Sequence, residues 1–503
     1  MRHGGFGGLL AAAGLALVLA ATSGAALIVG TPGADLVLGT SKRDRIVARA
    51  GNDRIDVVGG GRDQVSCGRG SDLVAADSSD RLSPDCEVVS RRISRDPYGN
   101  DGAIHATEAE PDSFSWGSTV VATFQVARFS SGGARNIGFA VSTDAGRHWK
   151  NGLLPGLTVA SRPSGRFSRA SDPSVAYDAL HGVWLIATLG FSDNESGLMI
   201  SSSADGLHWS APFTAGRKPS GNEGIQFDKE WIACDNGPSS PFRGHCYLSY
   251  SDIENLRLGT QTSTDGGRTW SPVVGSPDNA GRRGIQGPGA PAPQPVALPN
   301  GVVVVPLFDD DIAVVRSLDG GATFSSEALV TPSQFSTSAV RSGPFPSVEV
   351  GADGAAMMAW PDCGSRGGCS GNDLFFSKTI DGLTWTRPTK IPLGAGNHVV
   401  VGLAADPVRF GRVAVTYYTD SGQKLDVRLV WSRDGGVTWS RPVLLSPERM
   451  PYGRIAFSNG VMVGDYISTS FAGGRAVGVF TLAQSKVRGR LRQAIYAASV
   501  AVP

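Results

Sequence analysis

The sequence predicts an all-β protein, and three observations support this fold class. Glycine and proline account for 67 and 30 of the 503 residues, so turns must be frequent and long helices are disfavoured. A short repeat of nine or ten residues occupies the first part of the chain, and a repeat of roughly sixty residues fills the rest. Apolar residues make up 41% of the chain, enough to bury a core.

Charge and the first residues indicate where the protein works. Lys plus Arg is 46 and Asp plus Glu is 45, a balance that argues against a dedicated nucleic-acid-binding protein. Residues 1–26 combine Arg2, an apolar run from Leu9 to Ala21 and a small-residue exit, which is typical of a cleaved signal peptide. The alternative is an uncleaved anchor, but the run is short for the ~20 residues that span a bilayer. We therefore expect a secreted, monomeric protein without an integral membrane segment in its mature form.

Six cysteines follow this leader, and an even number in an exported chain predicts disulfide bonds. The alternative is a metal site, but no CxxC or CxxxC spacing occurs. Neighbours in sequence are the simplest partners, so we predict the pairs Cys67–Cys86, Cys234–Cys246 and Cys363–Cys369.

The short repeat places an aspartate at every ninth or tenth position between residues 30 and 90. An apolar residue stands two positions after each aspartate, and a glycine stands two positions before four of them. The aspartates are Asp35, Asp44, Asp53, Asp63 and Asp72, and the apolar residues are Val37, Ile46, Ile55, Val65 and Val74. This pattern resembles the RTX nonapeptide, which winds into a parallel β-roll. We assign residues 27–95 to such a roll, with Cys67–Cys86 as a clamp.

The aspartates of the repeat suggest a metal. Carboxylates and turn carbonyls are hard oxygen ligands that suit Ca²⁺, so the resemblance implies calcium held by Asp35, Asp44, Asp53, Asp63 and Asp72. The copies are degenerate, and the Asp44 copy carries Lys42 and Arg43 where small residues belong. The alternative is a roll of the same shape that binds no ion.

The long repeat is marked by six copies of the motif S-x-D-x-G-x-T-W or a close variant. The motif aspartates are Asp144, Asp205, Asp265, Asp319, Asp381 and Asp434. These motifs are similar to the Asp-boxes, or BNR repeats, of the sialidase superfamily, and the resemblance covers residues 104–503. It implies a β-propeller in which each box is a structural hairpin turn. In that turn the aspartate accepts backbone N–H bonds, the glycine adopts positive φ and the aromatic residue packs between blades. A catalytic or metal-binding role for the box aspartates is disfavoured.

The number of blades follows from the apolar segments around the boxes. Three apolar strands precede each box and a fourth begins directly after it, which gives a four-stranded blade. After the last box, segments 461–467, 476–481 and 494–500 form a seventh unit without a box or a fourth strand. We favour seven blades, closed by residues 88–93 or the segment just after them, although sialidases proper have six.

Candidate chemistry lies where the innermost strands begin, at the mouth of the central channel. A sialidase needs three arginines on the sugar carboxylate, a tyrosine nucleophile with a glutamate, and an aspartate acid/base. The arginines at predicted strand starts are Arg169, Arg341 and Arg454. The catalytic candidates are Asp228, Glu230, Arg341, Asp465 and Tyr466. The family's R-I-P signature is replaced by Ala109-Glu110-Pro111, and a salt-bridge set of Asp228, Lys229 and Glu230 within one blade is the structural alternative.

The sequence therefore predicts a secreted, sialidase-like β-propeller that binds glycans and hydrolyses them, as an exo-sialidase or a related glycosidase, behind a calcium-binding β-roll. The missing signature and the seventh unit favour the alternative, a non-catalytic extracellular propeller that acts in adhesion or protein binding. The sequence contains no phosphate-binding, dinucleotide-binding or zinc-protease motif.

Overall fold

The computed structural model describes residues 17–20, 26–99, 102–219, 226–286 and 291–503. The predicted leader lies outside the described residues except for the strand Leu17–Ala20 and Ala26, so its cleavage stays a prediction. The chain divides into two compact units, Met1–Ser90 and Arg91–Pro503. In the part of the chain that the structure describes, no helix has the length and apolar character needed to cross a bilayer.

The first unit is a parallel β-roll, as the short repeat predicts. Successive repeats contribute strands alternately to two parallel sheets. One sheet contains β1 (Leu17–Ala20), β3 (Asp35–Leu38), β5 (Arg54–Asp56) and β7 (Leu73–Ala76). The other contains β2 (Leu27–Val29), β4 (Arg45–Val47), β6 (Gln64–Ser66) and β8 (Arg81–Leu82). The strand β9 (Val88–Arg92) follows.

The core of the roll consists of the apolar residues that the repeat places two positions after each aspartate. Val37, Ile46, Ile55, Val65 and Val74 are at most 4% exposed. The turns stack closely, and this stacking explains one glycine. A Cβ atom on Gly70, whose φ is +150°, would lie 1.6 Å from the carbonyl oxygen of Gly51 two repeats earlier. The glycine is therefore required by the contact between turns.

The three predicted disulfides are present. Cys67 pairs with Cys86 in the roll, and Cys234–Cys246 and Cys363–Cys369 lie in the second unit. Cys234 and Cys246 are direct partners on neighbouring antiparallel strands, so this bond staples a sheet and not a loop.

The second unit is built from antiparallel strands connected mainly by hairpins. The first blade contains β10 (Ala109–Trp116), β11 (Thr119–Arg128), β12 (Ala134–Ser142) and β13 (Lys150–Leu153). The second contains β14 (Arg169–Asp178), β15 (Val183–Ser192), β16 (Glu195–Ser203) and β17 (Phe213–Pro219). The third contains β18 (Phe227–Cys234), β19 (Cys246–Asp252) and β20 (Arg257–Ser263), with a bridge from Thr260 to Val274 at its outer edge.

The remaining blades follow the same order. After helix α1 (Arg282–Gln286), the fourth blade contains β21 (Val296–Ala297), β22 (Val303–Asp309), β23 (Asp311–Ser317) and β24 (Ala328–Thr331). The fifth contains β25 (Ser347–Val350), β26 (Ala356–Asp362), β27 (Asp373–Thr379) and β28 (Thr389–Lys390), with a 3₁₀ turn at Gly367–Cys369. The sixth contains β29 (Asn397–Ala405), β30 (Val413–Asp420), β31 (Lys424–Ser432), β32 (Val443–Leu444) and β33 (Met450–Pro451), and a second 3₁₀ turn covers Tyr452–Arg454.

The seventh blade closes the ring with strands from both ends of the unit. It contains β34 (Ser468–Ala472), β35 (Arg475–Ala483) and β36 (Gln493–Ala501), and the segment that begins this unit at Arg91 stands next to β36 as the fourth strand. The N–H of Ile93 donates to the carbonyl of Ile495 at 2.8 Å, so the predicted closing segment is correct. The predicted inner strand at 461–467 is wrong. Gly464, with φ of +134°, interrupts this segment, and the strand begins only at Ser468.

The seven innermost strands form a closed ring, which makes the unit a propeller. Each lies next to the innermost strand of the following blade, and β34 lies next to β10. Polar side chains connect neighbouring strands. Asp112 accepts the N–H of Val175 at 2.8 Å, and Ser347 accepts the N–H of Leu403 at 3.0 Å. These bonds join the innermost strands of neighbouring blades around the axis of the ring.

The six Asp-box turns have the hydrogen bonds that the motif predicts. In the third box, Asp265 Oδ1 accepts the N–H groups of Arg268 and Thr269, each at 3.0 Å. Gly267 has φ of +83°, and its carbonyl accepts the indole N–H of Trp270 at 3.1 Å. The boxes thus close hairpin turns at the outer side of the first six blades.

Candidate functional site

A bulge near the start of several innermost strands directs charged side chains to the axis of the propeller. Glu110, Asp172 and Lys229 adopt left-handed backbone conformations, with φ of 53°, 47° and 50°. The strand register shifts at each of them. A left-handed conformation is strained for residues other than glycine and is concentrated at functional sites. Three blades therefore have a strained backbone at the residues whose charged side chains come together.

We name the group of polar residues at this place the hub cluster. Its members come from the first, second, third and seventh blades and from the segment before the fifth. They are Glu110, Asp172, Asp228, Lys229, Glu230, Arg341, Asp465 and Tyr466.

Asp465 is the centre of the ion pairs in the hub cluster. Its Oδ2 atom lies 2.6 Å from Lys229 Nζ and 2.7 Å from Arg341 Nη2. Burial opposes ionisation of Asp465, but the two cations outweigh this effect and hold the pKa of its carboxyl below the ordinary value. Asp465 is therefore an ionised carboxylate in a buried environment.

The other acids of the hub cluster have the opposite tendency. Burial raises the pKa of Asp228, of Asp172 and, most strongly, of Glu230. For Asp228 the burial effect outweighs a hydrogen bond from Asp172 and the charge of Lys229, which both lower its pKa. Glu230 is 1% exposed, and neither of its carboxyl oxygens has a hydrogen-bond partner among the described residues. One site thus contains both an ionised and a protonated carboxyl.

Exposure divides the hub cluster into a ligand side and a supporting side. Asp228, Arg341 and Tyr466 are half-buried, whereas Glu110, Asp172, Lys229, Glu230 and Asp465 are buried. Trp231 is also half-buried and packs edge-on against Tyr466, with 5.1 Å between the ring centroids. A ligand at the mouth of the channel would contact the half-buried residues, and the buried residues set the charge of the site.

All five sequence-predicted catalytic candidates lie in the hub cluster, but the predicted arrangement of three arginines does not form. Arg169 stacks on Phe129, with 4.3 Å from its guanidinium carbon to the ring centroid, and Arg454 pairs with Glu448. Of the three arginines considered, only Arg341 joins the cluster. Lys229 also differs from the structural alternative, since its ammonium pairs with Asp465 across the ring and not within its own blade.

Glu110 is a member of the hub cluster that the sequence analysis did not single out. Its carboxyl oxygen Oε2 accepts a hydrogen bond from Gln125 Nε2 and lies 3.6 Å from Arg128 Nη1. A signal for it does exist in the sequence. Four blades have the same three-residue pattern at this place, in which a proline is followed by a polar residue. The side chain of that polar residue accepts a backbone N–H group of the next blade. These are Glu110-Pro111-Asp112, Asp172-Pro173-Ser174, Ala292-Pro293-Gln294 and Phe345-Pro346-Ser347.

The β-roll has oxygen atoms suited to calcium in its later turns. Asp63 Oδ1 accepts the N–H of Asp44 at 2.6 Å, and Oδ2 is buried without a partner among the described residues. Asp53 and Asp72 repeat this arrangement. A Cβ atom built on Gly60 would lie 2.8 Å from Asp63 Oδ2 and 2.9 Å from the carbonyl oxygen of Thr40. Hard oxygens thus converge on a space left by a glycine, and these residues fit Ca²⁺.

The first two aspartates of the roll differ from the later ones. Thr31 donates its backbone N–H to Asp35 Oδ2 at 2.6 Å and its hydroxyl to Oδ1 at 3.0 Å. Thr40 makes the same two kinds of bond to Asp44. A threonine four positions earlier therefore satisfies the carboxyl that the repeat would otherwise offer to an ion.

Among the described residues, one group of three acidic or sulfur ligands lies close together, namely Cys67, Asp85 and Cys86. The two sulfur atoms are joined in a disulfide, so they are not thiolate ligands.

Comparison with known proteins identifies both kinds of repeat. The family model of the RTX calcium-binding nonapeptide repeat, which contains four copies, matches residues 29–65. The model of the BNR/Asp-box repeat matches residues 261–272. No curated protein sequence matches the chain.

Several solved structures are similar to the chain at low identity. A leech intramolecular trans-sialidase complexed with 2,7-anhydro-Neu5Ac is 14% identical, with 71% of this chain and 70% of that chain covered and a TM-score of 0.44. A Trypanosoma rangeli sialidase in complex with sialic acid is 17% identical, with 68% and 58% covered and a TM-score of 0.43. A PL25 ulvan lyase bound to its saccharide is 13% identical, with 80% and 96% covered and a TM-score of 0.45. The chain thus spans less than two thirds of the Trypanosoma rangeli sialidase. By its own repeats and topology, it carries RTX calcium-binding repeats followed by a propeller whose blades contain BNR/Asp-boxes.

Proposed function

We propose that the chain is a secreted glycoside hydrolase of the propeller type, stabilised by calcium in its β-roll. The observation that supports hydrolysis is the opposite protonation of two carboxyl groups in the hub cluster. Asp465 is held ionised by Lys229 and Arg341, whereas burial raises the pKa of Asp228 and favours its protonated form. Environments that separate the pKa values of neighbouring carboxyls are the means by which glycosidases divide acid and base roles.

In this proposal the partly exposed residues act on the sugar. Asp228 donates its proton to the oxygen of the leaving group, and the C–O bond to that oxygen breaks. The Tyr466 hydroxyl attacks the anomeric carbon while the ionised carboxylate of Asp465, the preceding residue, takes its proton. Arg341 binds an acidic or hydroxyl group of the sugar, and Trp231 provides a face on which the ring stacks. Water then hydrolyses the glycosyl–tyrosine bond with Asp228 as the base.

The buried residues position these groups. Lys229 and Asp465 hold Arg341, because Asp465 accepts bonds from both cations. The backbone N–H of Lys229 also contacts Asp172 Oδ2 at 3.4 Å, which connects the ion pair to the acid pair.

The test is hydrolysis of fluorogenic glycosides of sialic acid, a uronic acid and several neutral sugars by the calcium-loaded full chain. Turnover of at least one glycoside is expected. Replacement Asp228→Asn or Tyr466→Phe should then lower the rate by about 100-fold or more, as loss of an acid or a nucleophile does. Asp353→Asn, at an exposed turn outside the hub cluster, is the matched control and should leave the rate unchanged. No turnover of any glycoside by the wild-type protein would contradict hydrolysis.

The second candidate is a non-catalytic glycan-binding propeller. The small number of accessible arginines favours this candidate. Arg128 is buried beside Glu110, and only Arg341 of the hub cluster offers a partly exposed guanidinium. Three convergent arginines would be needed to grip a sialic acid carboxylate in the family's manner. Binding on a glycan array without hydrolysis, lost in Arg341→Ala, would support this candidate. Silence in both assays would contradict both functions.

Secretion belongs to the same proposal. Three disulfides in the described residues suit an oxidising compartment, and calcium is abundant outside cells. Expression with the native leader and sequencing of the mature amino terminus would test it, with cleavage near Ala26 as the expected result and an intact leader as the opposing one.

A further inference from the structure

The central channel of the propeller contains a second cavity that the hub cluster does not use. Its volume is about 550 Å³. Its walls are the later halves of the innermost strands, from Asp112–Trp116 in the first blade to Thr469–Phe471 in the seventh. Trp231 and Gln294 line this cavity and also the smaller space beside Lys229 and Tyr466, so they form the partition between the two. We name it the channel cavity.

Most of the lining is apolar, and part of it is aromatic. Phe114, Trp116, Trp231 and Phe471 all contribute to the walls. Trp116 is 43% exposed and Val408 is 80% exposed, although both line the cavity. Large apolar side chains kept in contact with water at the edge of a concave site are typical of a binding surface.

The ionisable side chains that line the channel cavity are all acidic. Two acids, Asp112 and Glu349, line it, and no Lys, Arg or His occurs among the described residues of its wall. Burial raises the pKa of Asp112 to about 7 and that of Glu349 to about 8, and in Glu349 the charge of Asp112 adds to the effect. Ionisation of the pair is therefore suppressed until a cation neutralises it.

We propose that the channel cavity binds a small organic cation, in which an ammonium group contacts Glu349 and Asp112 and an apolar body packs on the aromatic walls. The acids and aromatic faces both attract an ammonium group, through charge and through cation–π contact. An anion would meet two carboxyl groups and no base. A metal ion is disfavoured because the cavity has no third acidic, histidine or cysteine ligand close to the two acids among the described residues.

This site does not depend on the proposed hydrolysis. Asp112 is the one acid of the cavity that is joined to the ring structure, through Val175 N–H at 2.8 Å. The hydrogen bond that lowers the pKa of Glu349 comes from the backbone of the adjacent residue Val350 and not from another blade, so Glu349 is the better position for a variant.

The experiment measures binding of three probes of similar size to the full chain by calorimetry. Phenethylamine carries the cation, 2-phenylethanol is neutral and 3-phenylpropanoate is the anion. We expect phenethylamine to bind about tenfold or more tightly than the alcohol, as a charge-assisted bond provides, and the anion not to bind. In Glu349→Gln the amine should bind no better than the alcohol, while alcohol binding stays unchanged. Asp193→Asn, an exposed site outside the cavity, should behave as wild type.

Each alternative result overturns the proposal. Equal affinity of amine and alcohol would mean that charge is not recognised, and undiminished amine affinity in Glu349→Gln would place the cation elsewhere. If Glu349→Gln fails to fold, Trp116→Ala at the rim provides the second variant and should weaken both the amine and the alcohol. Binding of none of the probes by the wild-type protein would reject the site outright. Because no glycoside is involved, these outcomes are independent of any hydrolysis result.

Discussion

The ammonium of Lys229 lies 2.6 Å from Oδ2 of Asp465, a residue 236 positions later in the chain. Lys229 belongs to the third blade and Asp465 precedes the inner strand of the seventh, so the bond crosses the axis of the ring. Both side chains are less than 10% exposed. Such a pair contributes little net stability compared with apolar packing, but loss of one partner leaves an uncompensated charge in the interior.

Asp465→Asn should therefore destabilise the propeller strongly, by about 3–5 kcal/mol, because Lys229 and Arg341 would then lack an ionised partner. The measurement is unfolding in denaturant followed by tryptophan fluorescence. All ten tryptophans lie after Ser90, so the signal reports this unit alone.

Two variants complete this prediction. Lys229→Met in the Asp465→Asn background removes one of the two orphaned cations and should restore part of the lost stability. Asp353→Asn at an exposed turn should change it by less than about 0.5 kcal/mol. An Asp465→Asn protein as stable as wild type would show that the pair is not a charged centre.

The fold could be predicted from the sequence because each repeat specifies a local structure. Six boxes at nearly regular spacing identify the hairpins, and the apolar segments before each box identify the strands. The error at 461–467 has a physical reason, since apolar content predicts burial but not strand pairing. Val461 is buried, yet it makes only isolated bridges to Val340 and Phe457 before Gly464 turns the chain.

The candidate site could be predicted only in part. Strand starts identify Asp228, Glu230 and Asp465, since polar residues there stand out against apolar strands. Partners across the ring cannot be read from local pattern, because Lys229 and Asp465 become neighbours only when seven blades close. Glu110 is harder still, as its position depends on a bulge with positive φ that a glutamate is not expected to adopt.

The Asp-boxes should prove structural. Asp265→Ala removes the acceptor of two backbone N–H groups and of the Thr269 hydroxyl, which Asp265 Oδ2 binds at 2.6 Å. We expect a loss of about 1–3 kcal/mol in the free energy of unfolding, measured by tryptophan fluorescence, and unchanged ligand binding at the hub cluster. Asp193→Ala at another exposed turn is the control. A loss of hub ligand binding in a stably folded Asp265→Ala protein would contradict the structural role.

Calcium should invert the pH dependence of the β-roll. Burial raises the pKa of Asp53 to about 6, above the ordinary 3.8, and it also raises the pKa of Asp63 and of Asp72. Without calcium, the folded roll thus binds protons that the unfolded chain has lost, so this contribution to stability is full below about pH 4 and disappears as the pH rises through 6. With calcium the ionised carboxylates are ligands, so stability should increase over the same range.

The measurement for this prediction is scanning calorimetry of the full chain at several pH values, with excess calcium or with a chelator. The transition of the roll is identified as the one that calcium shifts. The same slope in both conditions, or no transition that responds to calcium, would contradict ion binding by these carboxylates.

The final prediction distinguishes the turns of the roll. Asp63 and Asp44 occupy equivalent positions of the repeat, but Asp63 Oδ2 is buried without a partner among the described residues, whereas Thr40 binds both oxygens of Asp44. Asp63→Asn should therefore reduce the number of calcium ions bound in calorimetry, because a charged ligand is replaced by a neutral one. Asp44→Asn should leave that number unchanged and lower only the stability of the calcium-free roll. Gly60→Ala offers an independent check, since its methyl group would fill the space beside Asp63 Oδ2 and the Thr40 carbonyl. If Asp44→Asn and Asp63→Asn lose calcium equally, the threonine cap does not decide which turns bind the ion.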